Sequence, residues 1–553
     1  MKAIFKLFFI SILAIYINLN SLEQNEKGYI LYLMHSNEIE KAMNKYQEIY
    51  KNDGHDFEIL QKMSLILLKN GAKNEDNQIQ QLSMLGAGLA ASNASLEILE
   101  IGLDSPLIQT QQLSVHFISF LQDDNSSLAL LKALKSDFLP VRMEALYSLA
   151  KRKHPHAIGQ IESLMFRLPV FLKPYFPSIF ALIGTEESKK YLIKFLNDQD
   201  ANVRLETILS IANHSYDELL PLLRKRFPNS TTAEKEAICY TISTLKDTSC
   251  NEDLKKLAAS PIENVSISAS KALYFLGNEE AKNRIIELSK EENIFAVSTL
   301  GDINGSEEIL YKLTKSQNKN VRLNAAIGLL KKKDIRAFEV IDNIVIKKED
   351  IAFEPFFSVG RTMMYFKIVP GALHRMKDSQ FDPTISLQIR EFILKEALEL
   401  NEKDFLAFAD KILSSNQNDI VPFLISLLEN KPTEATIILL KKYSLSNNKF
   451  IKDYTNLSLY RLKVQGNYEE YISNWIKKEN HIELIQLNLM GKDKEVTIED
   501  ITKEENTRLL IDMYSALAQM QDRKSLSIIL NSILKTNPKN RYALAGLLIR
   551  ATE

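Results

Sequence analysis

The residues that could do chemistry in this chain are few and fall into four groups. His154 and His156, with Pro155 between them, form the one close histidine pair, and two imidazoles at that spacing could share a divalent cation. The proline keeps the segment out of a helix interior, so a solvated turn between helices is the reading that fits. Adjacent carboxylates recur in Gly184-Thr185-Glu186-Glu187, Gly277-Asn278-Glu279-Glu280 and Gly305-Ser306-Glu307-Glu308. Such pairs could bind a metal or act as acid and base. Helix punctuation explains all four residues together: Gly ends one helix in the left-handed region, Thr, Asn or Ser caps the next, and the glutamates meet the positive end of its dipole. Two basic clusters, Arg224-Lys225-Arg226 and Lys331-Lys332-Lys333, fall at expected helix C-termini, where cations complement the dipole; the alternative is a patch for an acidic partner. Cys239 and Cys250 are the only cysteines. With Cys239 in a helix and Cys250 in the turn after it, a rise of about 1.5 Å per residue puts them beyond disulfide reach. No Gly-rich phosphate loop, Gly-x-Ser-x-Gly elbow or paired-cysteine zinc spacing occurs. No catalytic residue, metal or cofactor is therefore expected.

These groups hang on a repeating frame. Ser136 precedes Val141-Arg142, Asp198 precedes Val203-Arg204, Ser260 precedes Val265-Ser266, and Ser316 precedes Val321-Arg322, each followed by an apolar helical stripe. The step from Val141 to Val203 equals the step from Val203 to Val265, and each is two periods of 31; the step from Val265 to Val321 is a shortened 56. Upstream, Gln80-Gln81-Leu82-Ser83 returns one such period later as Gln111-Gln112-Leu113-Ser114. The register runs through 79, 110, 141, 172, 203, 234, 265, 295 and 321, with the motif lost near 172 and 234. A fixed period of this length marks a solenoid of stacked helix pairs. Each pair would place the Val–Arg helix against its neighbours.

This pattern resembles the HEAT family, in particular the short bacterial HEAT-like repeats of phycobilin lyases. The resemblance rests on the polar residue followed five and six positions later by Val-Arg, and on small residues such as Ala145 and Ala325; it covers roughly half the chain. It implies an all-α fold, an α-solenoid wound as a right-handed superhelix, in which Arg142, Asp198, Arg204 and Arg322 tie neighbouring repeats together. Gln111 and Ser266 stand where that arginine is replaced. Deoxyhypusine hydroxylase, a HEAT-repeat enzyme, binds iron through His-Glu dipeptides, and this chain has none. Weaker tetratricopeptide-like helix pairs are suggested near both ends.

With 553 residues the chain exceeds the ~250–300 at which one globular core stops growing, as an extended array would. Lys+Arg 69 against Asp+Glu 70 leaves a net charge of -1, so no overall field favours nucleic acid, and no nucleic-acid partner is expected. Lys2 and Lys6 followed by an apolar run over Leu7–Ile17 read as an export signal. The run is well short of the ~20 residues needed to span a bilayer. Residues 1–21 are thus expected to be a signal peptide or an uncleaved anchor, and the protein to be periplasmic or secreted. Residues 22–70 read as a helical hairpin that caps the array, 71–350 as HEAT-like repeats and 384–553 as degenerate helical repeats.

Between the last two lies an irregular connector, 351–383, with Pro355, Gly360, Pro370-Gly371 and Pro383. It concentrates Phe353, Phe356, Phe357, Met363, Met364, Tyr365 and Phe366. Aromatic side chains are enriched at protein interfaces, so Phe353, Phe356, Phe357, Tyr365 and Phe366 are the candidate partner-binding residues; plugging the junction between arrays is the competing role. Two functions follow: a non-catalytic exported scaffold for a protein partner, or a lyase-like enzyme that holds its substrate in the solenoid groove. A polar pocket with convergent ionisable residues would mark the enzyme.

Overall fold

The first helix of each pair ends in the same way from repeat to repeat. Lys153, Gly184, Ser215, Lys246 and Gly277, evenly spaced at 31, all have positive φ, as do Gly305 and Lys333 at spacings of 28. A left-handed residue after a helix turns the chain back and lets an N–H reach the carbonyl five residues earlier. That bond is made by Tyr216 to Ile211 (3.1 Å), Asp247 to Ile242 (2.9 Å), Asn278 to Leu273 (2.9 Å) and Asp334 to Leu329 (3.0 Å). The next helix is then capped at once. Thr185 accepts from the Ser188 N–H (3.2 Å), Asp247 from Ser249 (3.1 Å) and Asn278 from Glu280 (3.2 Å). The acidic pairs at 186–187 and 279–280 therefore open helices behind a capping residue. At the third signature the chemistry differs. Ser306 is buried and its hydroxyl donates to the Leu300 (2.7 Å) and Ile303 (2.8 Å) carbonyls, holding the preceding turn together.

The computed structural model describes residues 25–50, 54–154, 157–347, 383–415, 417–479, 481–482, 484 and 498–553. Among them there is no strand; the fold is an α-solenoid of antiparallel helix pairs. The 1–21 segment and the connector aromatics Phe353, Phe356, Phe357, Tyr365 and Phe366 lie outside the described residues. No helix among the described residues is long and apolar enough to cross a membrane.

Contacts divide the chain into two compact units, Ala150–Leu462 and the pair of segments Met1–Leu149 with Lys463–Glu553. In the Ala150–Leu462 unit, the helices Phe176–Ile183, Ala201–Asn213, Thr232–Thr244, Glu263–Phe275, Ile294–Leu300 and Lys319–Lys331 pack each on the next. The motif valines Val203, Val265 and Val321 are buried at these junctions. Pro383–Ala397 packs directly on Lys319–Lys331 and on Phe338–Val345, so the same stack continues into Val421–Asn430 and Lys449–Arg461. Arg390 locks that step. It is 1% exposed, its Nε donates to the Val345 carbonyl (3.1 Å), and its guanidinium holds Asp419 at 2.7 and 3.3 Å.

The other unit joins early and late segments of the chain. Asn540–Thr552 lies between Phe57–Ala72 and Asn77–Ala90, while Arg523–Lys535 meets Ile39–Ile49. Glycines let the backbones touch: a Cβ on Gly546 would sit 1.9 Å from the Gly86 carbonyl oxygen, and one on Gly71 would meet the Tyr542 ring at 2.3 Å. Arg541 pairs with Glu40 (2.9 Å), His55 contacts Ser527 (3.1 Å), and Ser92 donates to Glu553. Between successive pairs, small residues recur at the crossing, Gly71 against Ser83 and, one period on, Gly102 against Ser114.

Gly546→Ala tests this seam. The added methyl has backbone on its far side and nowhere to go, so overpacking should cost ~1–3 kcal/mol. A lowered urea midpoint together with faster proteolysis within 523–553 is the expected result; an unchanged midpoint would show that the two segments are not packed this closely.

Candidate functional site

The turn that leads into the first helix of a pair leaves a backbone carbonyl that no helix hydrogen bond reaches. A side chain six positions later fills it in repeat after repeat. Gln80 donates to Asn74 (2.7 Å), Gln111 to Ser105 (2.7 Å), Arg142 to Ser136 (2.6 Å), Arg204 to Asp198 (2.8 Å) and Arg322 to Ser316 (2.7 Å). Arg204 and Arg322 also reach the next carbonyl, of Gln199 (2.9 Å) and Gln317 (3.0 Å). The polar residue that opens each turn accepts the N–H two residues on, as Ser136 does from Phe138 (3.1 Å), Asp198 from Asp200 (3.0 Å) and Ser316 from Asn318 (3.0 Å). The bonds that Arg142 and Arg322 make to these carbonyls therefore run within one repeat, to its own turn, rather than to a neighbour.

Contacts between repeats are made by partners the sequence motif does not name. Asp198 does not pair its carboxylate with Arg204; it holds Lys173 of the preceding repeat at 2.6 Å. Burial pushes the Asp198 carboxyl up, but the Lys173 ammonium, the Asp200 N–H and the Arg204 guanidinium outweigh it, and its pKa is lowered. Arg204 reaches forward, its Nε 2.5 Å from the Glu234 carboxylate. Glu234 stands one period after Val203, in the valine position of the repeat whose motif is lost. It is 1% exposed against 13% for Arg204, and it also accepts the Thr231 N–H (2.9 Å) as half of a capping box. Farther on, Ser446, Ile451 and Lys452 rebuild the frame. Ser446 accepts from Asn448 (3.1 Å), Asn448 from Phe450 (3.0 Å), and Ile451 is buried. Comparison of Ser316-Gln-Asn-Lys-Asn-Val-Arg322 with Ser446-Asn-Asn-Lys-Phe-Ile-Lys452 is the sequence signal that finds this repeat.

Ionisable groups also gather around Asp302. Asp302 sits between Lys271 (2.7 Å) and Lys331 (3.3 Å). Burial raises its pKa, the two ammoniums lower it more, and the net direction is down. Lys332 approaches Asn304 (3.4 Å), and Glu396 is pushed up by burial and by Asp302 and Glu399, against the pull of Lys331. Both ammoniums are already engaged by Asp302, so the cluster reads as an ion network that fastens helix ends. Glu206, on the helix that bears Arg204, is different: burial alone pushes its carboxyl up to about 7. The two thiols are buried and unbridged, with Cys250 pushed up to about 11 by burial and by Asp247, and Cys239 raised further by its complete burial. Neither has thiolate character at neutral pH. Arg224 meets Asp247 (3.2 Å) and Arg226 meets Asn197 (3.5 Å), while Lys225 between them is exposed. His156 lies outside the described residues, and no group of three or more His, Cys, Asp or Glu able to hold a metal occurs among those that are described.

Two stability measurements follow. Arg204→Met leaves Glu234 buried without its cation and should cost ~3–5 kcal/mol, whereas Arg204→Met with Glu234→Val removes the stranded charge and should recover part of that loss, staying below the parent by the ~1–3 kcal/mol of the bare Asp198 carbonyl. Equal losses in the single and double variants, in urea titrations, would contradict the pairing. For Glu206 the sign is the reverse of a salt-bridged acid. Its folded pKa lies above the unfolded value, so its burial costs stability above about pH 7, and that cost fades as pH falls from about 7 toward 4.5. Glu206→Gln should therefore stabilise by ~1–3 kcal/mol at pH 8 and by little at pH 4.5. A pH-independent effect would refute this.

No family model matches the sequence, and no curated protein matches it. Solved structures give similarities at low identity. The complex of CpcE and CpcF of phycocyanin lyase from Nostoc sp. PCC7120 is 15% identical, with 45% of this chain and 92% of that one covered and a TM-score of 0.24. The karyopherin Kap121p bound to the extreme C-terminus of the protein phosphatase Cdc14p is 14% identical over 91% of this chain and 63% of that one, with a TM-score of 0.35. Importin beta is 12% identical over 95% and 75%, with a TM-score of 0.32. At such scores the likeness says nothing about chemistry or partners, and the fold stands on the helix packing described above.

Proposed function

We propose that the chain is a non-catalytic, exported helical-repeat scaffold that binds a protein partner. The observation that carries this reading is the use made of the charged residues. Arg142, Arg204, Arg322, Lys271, Lys331 and Arg390 are each committed to turn carbonyls or to carboxylates inside the fold, which leaves a stack whose polar groups hold helices together. Export rests on the charged and apolar N-terminal stretch, and membrane attachment through that stretch is part of the same proposal. The partner-binding residues in this reading are Phe353, Phe356, Phe357, Tyr365 and Phe366. Their support is compositional: five aromatic side chains fall within 353–366. Glu206 favours the enzyme reading, since an acid pushed up to about 7 can exchange protons at neutral pH.

Crosslinking capture from an envelope fraction tests the scaffold. Phe357→Ala with Phe366→Ala should remove the captured protein and leave the melting temperature within ~1 °C, because surface changes rarely exceed about 0.5 kcal/mol. A large drop in melting temperature would mean that these rings are core.

A further inference from the structure

The repeat at 172 departs from its siblings on the surface as well as in its motif. Where the others begin a helix, it has a 3-10 turn over Val170–Tyr175, with Pro169 before it and Pro174 within it, and the α-helix starts only at Phe176. Leu168 and Phe176 are buried and anchor the turn from both ends, and the Lys173–Asp198 ion pair ties it to the next repeat. Around these anchors Phe166 is 78% exposed, Val170 78% and Phe171 73%, and Tyr175 is exposed as well. The frame shows that the fold does not require them. Phe171 occupies the position of Asn202, Asn264 and Asn320; Val170 that of Ala201, Glu263 and Lys319; Phe166 that of Asn197, Ala259 and Lys315.

We propose that this turn is a wedge that docks on the surface of an anionic phospholipid bilayer. The exposed apolar area of the four side chains is on the order of 500 Å². That falls short of the ~800 Å² which one partner of a stable protein complex contributes. A bilayer asks for less: a few protruding rings that reach the acyl boundary, with cations at the level of the phosphates. The charge fits that surface. From Ser163 to Thr185 there is no acidic residue, and exposed Arg167 follows Phe166 directly. Among the described residues Arg167 has no carboxylate partner. The prolines and the two buried anchors hold the rings out in a fixed turn, so little ordering is left to do on contact.

The test uses the full chain with Val170→Cys carrying an environment-sensitive dye; Cys239 and Cys250 are buried and stay unlabelled. The probes are vesicles of phosphatidylcholine with one quarter phosphatidylglycerol, and vesicles of phosphatidylcholine alone. Reporting from position 170 separates this contact from any made by the apolar N-terminal stretch. The dye should shift to the blue and be quenched by spin-labelled lipid on the anionic vesicles, with at least a tenfold weaker response on the neutral ones. Phe166→Asn with Phe171→Asn, which copies sibling repeats, should lower the partition coefficient at least tenfold and leave the thermal melt unchanged. No response on either vesicle, an equal response on both, or a response retained in the double variant overturns the proposal. So does a collapsed melt, which would make the rings core. Dimers in light scattering that vanish with the double variant would also overturn it and assign the turn to a second copy of this chain.

Discussion

The repeats that keep the Val–Arg frame, or its glutamine variant, depend on closing the turn before their first helix without leaving a bare carbonyl. The chain reverses within a short turn, and the residue that opens it has a C=O beyond the reach of either helix ladder. The cost of an unpartnered buried carbonyl is ~1–3 kcal/mol, and it would recur at every repeat. The answer is local: one long donor six positions downstream, where the helix has come round far enough to reach back. Gln80 and Gln111 do this without charge, so the requirement is for a donor of the right length rather than for a cation. With the turn closed from inside its own repeat, the arginine's spare N–H groups are free to reach the neighbour, and Arg204 uses one on Glu234.

That division explains how much can be read from the sequence. The Val–Arg frame is legible because its cause is local: capping, the six-position reach and the buried valine all sit within one turn. The all-α class and the paired helices follow from the period. Lys173–Asp198, Arg204–Glu234 and the Lys271–Asp302–Lys331 network are not legible, because each joins residues in different repeats, where no short motif marks the partner. Glu234 reads as a lost motif in sequence; in space it answers the best-kept one. The frame at Ser446–Lys452 is hidden by Ile and Lys standing in for Val and Arg, a change that keeps both shape and donor. Ser306 shows the opposite error, a cap by sequence whose hydroxyl serves the preceding turn instead.

The candidate site is less legible than the fold. The acidic pair at 186–187 opens a capped helix and both cysteines are unbridged buried thiols, as read from the sequence, while Arg224 adds a contact to Asp247 that no local motif marks. Glu206, whose carboxyl is pushed up to about 7, carries no sequence signal, since the shift comes from burial that only the packed helices create.

The docking of Asn540–Thr552 between the early helix pairs has a consequence for how the molecule comes apart. An array of repeats held only by nearest neighbours melts from its ends inward, since each terminal repeat has lost one of its two interfaces. Here the last helix and the early hairpins lend one another that missing interface, through Gly546 on Gly86, Tyr542 on Gly71 and Arg541 on Glu40. Fraying in this unit must first break a seam between residues more than 450 apart in sequence, a contact that forms only after nearly all of the sequence between them has been made. Its edges are therefore fixed last in folding and protected most in the finished molecule, and the weak points of hydrogen exchange should fall in mid-array turns rather than along the seam.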